Sequence, residues 1–71
     1  MKHQNLLNEI TTKPLTVVIN YTLHLKETIY ATPRGLIWTP SEDKDVTINH
    51  DEFENLIDYA VTHNATITLA D

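Results

Sequence analysis

Ile48-Asn49-His50-Asp51-Glu52-Phe53-Glu54-Asn55-Leu56-Ile57-Asp58-Tyr59-Ala60-Val61-Thr62-His63-Asn64-Ala65-Thr66-Ile67-Thr68-Leu69-Ala70 changes its hydrophobic period partway along. Phe53, Leu56, Ile57, Ala60 and Val61 follow the i, i+3, i+4, i+7, i+8 spacing of a helix with one apolar face. Beyond Asn64 the period drops to two: Ile67 and Leu69 alternate with Thr66 and Thr68, which predicts a strand over residues 65–70. The helix start is marked by local chemistry. Asn49 suits an N-cap, Glu52 three residues later completes a capping box, and Ile48 with Phe53 matches a hydrophobic staple. Asp51 and Glu52 stand in the first turn, where the helix dipole favours negative charge. Asn64 suits a C-terminal position with positive φ.

Upstream, Leu15, Val17, Ile19, Tyr21, Leu23 and Leu25 alternate with Thr16, Val18, Asn20, Thr22, His24 and Lys26, the pattern of a half-buried strand. A bend is expected near His24 to Glu27, although no glycine or proline marks it, and Glu27 to Thr32 reads as a second strand. Thr32-Pro33-Arg34-Gly35 predicts a hairpin turn, because proline presets the second position and glycine tolerates positive φ. Leu36 to Thr39 then returns as a third strand. Pro40 to Asp45 is a polar loop, and Val46 to Ile48 adds at most a short extended piece. Before all of these, Leu6, Leu7 and Ile10 give an apolar stripe to a helix over residues 3–12, which Lys13-Pro14 ends. The expected architecture is α+β: a four-stranded antiparallel sheet with two helices on one face, in the order α-β-β-β-α-β, forming one domain over residues 1–71.

Seventy-one residues with a 41% hydrophobic share support a modest core. Without cysteine there is neither a disulfide framework nor a thiolate metal site. Leu15 to Leu25 is the longest mostly apolar run, well short of the about 20 residues of a membrane span. A cytoplasmic protein is the expectation. Net charge is −5 and unevenly spread. Glu9 and Glu27 against Lys2, Lys13, Lys26 and Arg34 give +2 up to residue 40. Glu42, Asp43, Asp45, Asp51, Glu52, Glu54, Asp58 and Asp71 against Lys44 give −7 thereafter. Such a split disfavours direct contact with nucleic acid or anionic membrane.

Catalytic patterns are missing from the sequence. His3, His24, His50 and His63 lack metal-ligand spacing, so no metal and no cofactor is expected. Ser41 has no histidine near it in sequence to act as base. Of the aromatics, Tyr21 falls on the core phase of its strand and Trp38 reads as a core-edge residue. The acids carry the candidate site. At 100° per residue, Asp51, Glu54 and Asp58 fall within about 60° of one another, at axial spacings of roughly 4.5 and 6 Å, comparable to phosphates along a nucleic-acid strand. Glu52 on the helix and Glu42, Asp43 and Asp45 in the loop extend the set. The plain alternative is a solvated helix face whose first-turn acids stabilise the helix.

Small size, absence of cysteine, acidity and a helix-plus-sheet plan make the chain resemble the small acidic inhibitors encoded by bacteriophages, several of which are DNA mimics. Asn5-Leu6-Leu7-Asn8-Glu9-Ile10, then Lys13 and Thr16-Val17-Val18-Ile19, is similar in pattern to the start of one anti-CRISPR inhibitor of Cas9 and covers about a quarter of the chain. The resemblance implies a non-enzymatic inhibitor that occupies the DNA-binding surface of a basic host protein. The histone-like nucleoid protein HU is the leading candidate, and the Cas9 nuclease is the alternative. It implies no catalytic residue. A second reading is a structural or assembly module pairing through a sheet edge or through Trp38 and Tyr30.

Overall fold

Val17, Ile19, Ile29, Leu36 and Ile48 all point to one side of a single antiparallel sheet, where they are almost completely buried. The computed structural model describes residues 2–22, 24–40 and 44–71. Its elements are α1 (Gln4–Thr12), β1 (Thr16–Asn20), β2 (Lys26–Thr32), β3 (Gly35–Thr39), β4 (Val46–Ile48), α2 (His50–Thr62) and β5 (Thr66–Ala70). The sheet therefore has five strands, not the four expected, in the order β4-β3-β2-β1-β5. The short piece at Val46–Ile48 becomes a strand because it pairs antiparallel with β3, Leu36 facing Ile48 and Trp38 facing Val46. That pairing is tertiary, and three residues are too few to announce it by alternation. The last strand does pair with the first, Val17 opposite Leu69 and Ile19 opposite Ile67.

Both helices pack on the apolar face. Leu7 and Ile10 from α1 join Phe53, Ile57 and Ala60 from α2 over the buried strand residues in one core. The staple holds: Ile48 and Phe53 are both buried. Asn49 accepts from the Glu52 backbone N–H at 2.7 Å, and Glu52 accepts from that of Asn49 at 3.0 Å, so the capping box is complete. Asn64 takes φ 57°, and Ala65 N–H reaches back to the carbonyl of Ala60.

The bend expected near His24 to Glu27 lies earlier, between Asn20 and Lys26. β1 ends at Asn20 and the chain turns through Tyr21–Leu25. Thr22 Oγ1 accepts from the backbone N–H groups of His24 and Leu25, and Tyr21 N–H donates to the Leu25 carbonyl. A threonine hydroxyl thus does what glycine or proline does elsewhere. Alternation does not persist to Leu25, which is 43% exposed instead of reaching the core. Leu23 lies outside the described residues. The next turn matches expectation: Pro33-Arg34 joins β2 to β3, Thr32 Oγ1 accepts from Arg34 N–H and donates to the Gly35 carbonyl, and Gly35 has φ 131°.

Candidate functional site

α2 presents two flanks. Phe53, Ile57 and Ala60 face the sheet. On one flank stand Glu54 and Asp58, about 40° apart at 100° per residue. On the other stand Glu52, Asn55, Leu56 and Tyr59, while Asp51 projects about 20° from Asp58, two turns nearer the helix start.

The acidic flank is occupied by the protein itself. Both carboxylate oxygens of Glu54 accept from the His3 backbone N–H, at 3.1 and 3.0 Å. Asp58 Oδ1 lies 2.8 Å from His3 Nε2 and 3.5 Å from Lys2 Nζ. The His3 hydrogen bond, aided by Lys2 and opposed by some desolvation, holds the Asp58 carboxyl below its usual range. Two of the three acids expected to form a ridge are thus tied to the start of α1.

The remaining predicted acids are dispersed. Asp51 is exposed and makes no hydrogen bond or ion pair among the described residues. Glu52 is engaged by the capping box. Asp45 accepts from Thr39 Oγ1 at 2.6 Å, beside the start of β4. Glu42 and Asp43 lie outside the described residues. The structure groups Asp51 with Glu52 in the first turn of α2, Glu54 with Asp58 beside Lys2 and His3 just before α1, and leaves Asp45 before the start of β4.

The other flank of α2 holds an open groove. One depression of about 320 Å³ is lined by Trp38, Ile48, Glu52, Asn55, Leu56 and Tyr59. A second of about 310 Å³ adjoins it, sharing Trp38, Leu56 and Tyr59 and adding Tyr21 and Glu27. Trp38 Nε1–H donates to Glu27 Oε1 at 3.1 Å, which anchors the indole where it lines both depressions. Tyr59 is 56% exposed, meets Tyr21 edge-to-face at 6.1 Å, and stacks on His63 at 4.0 Å. Burial, then the nearby Glu27 carboxylate and Tyr59, push the Tyr21 phenol pKa up.

The register sets Trp38 opposite buried Ile29, and Tyr21, expected on the core phase, packs with it against the core; that Tyr59 completes a cluster with them is not legible in the sequence. Tyr59 lies outside the expected apolar stripe, whereas Val61, counted within it, is 56% exposed. Tyr30 pairs with Ile37 on the opposite face of the sheet from Trp38, so these two do not form one patch. No protein-family model, curated protein or solved structure matches this chain.

Proposed function

We propose that this chain is a non-catalytic protein-binding domain whose partner offers a basic surface carrying an apolar anchor. The aromatic groove beside α2 carries this reading. Half-exposed tryptophan and tyrosine are the side chains that dominate binding hot spots, and here they flank an acidic helix end in a half-chain of net charge −7. In its narrowest form the proposal keeps the DNA-mimic reading, with HU as partner and Cas9 as alternative. The contacts then centre on Asp51, Glu52 and the groove. Glu54 and Asp58 assist only through their outward field.

Trp38 is the single tryptophan and serves as a built-in probe. Titration with purified HU should change its emission, with affinity that falls steeply as salt rises and competition from duplex DNA. Tyr59→Ala should weaken binding at least about tenfold, and Asp51→Lys less but with a shallower salt slope. No response to HU, and none to Cas9 in the same titration, sinks the narrow form. A complex with another basic protein that ignores both substitutions sinks the broad one. Reversing Glu54 or Asp58 is a poor test, since either change releases α1.

A further inference from the structure

The two edges of the sheet are defended very differently. β4 closes one edge with only three residues, is preceded by Asp45, and passes at once into the capped start of α2. β5 closes the other with five, Thr66-Ile67-Thr68-Leu69-Ala70, containing no charge, no proline and no glycine. Soluble proteins commonly blunt a free edge with charge, proline, a bulge or brevity, and β5 uses none of these. Its outer row of backbone N–H and C=O groups stands ready for another strand. On its helix side, Leu69 is 40% exposed, and on the neighbouring helix Val61 is 56% exposed.

We infer that β5 pairs antiparallel with β5 of a second copy, joining two five-stranded sheets across a two-fold axis at Thr68. The edge is complementary to itself. Centred on Thr68, the pairing sets Ile67 of each copy opposite Leu69 of the other on the helix side, and Thr66 opposite Ala70 on the open side. Charge permits the same place: two chains of net charge −5 repel, and the paired residues Thr66–Ala70 carry no charge, with Asp71 just beyond them. An isologous contact of this kind closes at two and does not propagate. Five residues make a seam of about 17 Å, smaller than the interfaces that hold permanent dimers, so the association is reversible and concentration-dependent. The groove lies over β2, β3 and β4, leaving it open in the dimer.

Sedimentation velocity from about 1 μM to about 1 mM tests the inference, over the range in which weak contacts titrate. The weight-average mass should climb from 8.1 kDa toward twice that value. A chain that stays monomeric throughout overturns it. Thr68→Lys places two like charges on the axis and should abolish the rise; a dimer that survives this change lies elsewhere. Register is tested by charge rescue: Thr66→Lys and Ala70→Glu should each weaken association, and the double variant should recover it. Absence of recovery overturns the Thr68-centred pairing. In the wild type, amide exchange across residues 66–70 should slow as concentration rises, a readout independent of any variant; unchanged exchange counts against the edge.

Discussion

The two helices begin in opposite ways. α2 carries its own start: Asn49 and Glu52 satisfy each other's backbone N–H groups within four residues of chain. α1 has no side-chain cap of its own at His3. The acceptor for His3 N–H is Glu54, 51 residues away, and the His3 ring is held by Asp58. One helix is specified by its neighbours in sequence and the other by the fold. Acids that resemble a ligand-facing ridge on a helical wheel are in part the anchor of another helix. The same difference explains the opposite fates of Asp51 and Asp58, which project from nearly the same angle.

The largest effect expected from breaking this contrast comes from Glu54→Ala. It leaves the start of α1 without its charged acceptor and should cost about 1–3 kcal/mol in denaturant unfolding. Amides at the start of α1 should lose protection while those of α2 keep theirs. Equal loss in both helices would show that α1 does not depend on this contact. Asn49→Ala should cost about 1 kcal/mol and act in reverse, fraying the first turn of α2. Both losses matter in a domain of this size, whose total stability is only a few kcal/mol.

The smallest effect concerns acid. Asp58 has a folded pKa below its unfolded value, so its contribution is present above the unfolded pKa and lost as pH falls through the folded one. Thermal midpoints should therefore drop below about pH 4 more steeply in the wild type than in Asp58→Asn. Parallel curves would show that the His3 and Lys2 contacts do not stabilise the fold. Added salt should narrow the gap, because the pair sits at the surface.

How far these features can be read in advance follows the distance over which they are built. The capping box, the staple, Asn64 and the Pro33-Arg34 turn each lie within a few residues, and all appear in the sequence. The α+β class follows from two hydrophobic periods. What escapes is made of contacts between remote segments. β4 exists because Leu36 meets Ile48, the groove because Tyr59 comes beside Trp38 and Tyr21, and the engagement of Glu54 because α1 docks on α2. The Tyr21–Leu25 turn is the exception: it is local, yet Thr22 gives it no glycine or proline signature.

The strand order β4-β3-β2-β1-β5 interleaves the two halves of the chain. β1 and β2, from before the Pro33-Arg34 turn, are sandwiched between β3 and β5, which both come after it. Neither fragment could assemble the sheet alone: the first would hold a bare two-stranded ribbon, and the second a β3-β4 pair and a lone β5, with a gap where β1 and β2 belong. Severing the peptide at Arg34 would therefore leave two pieces whose only ordered state is the reconstituted whole, an arrangement suited to a split reporter.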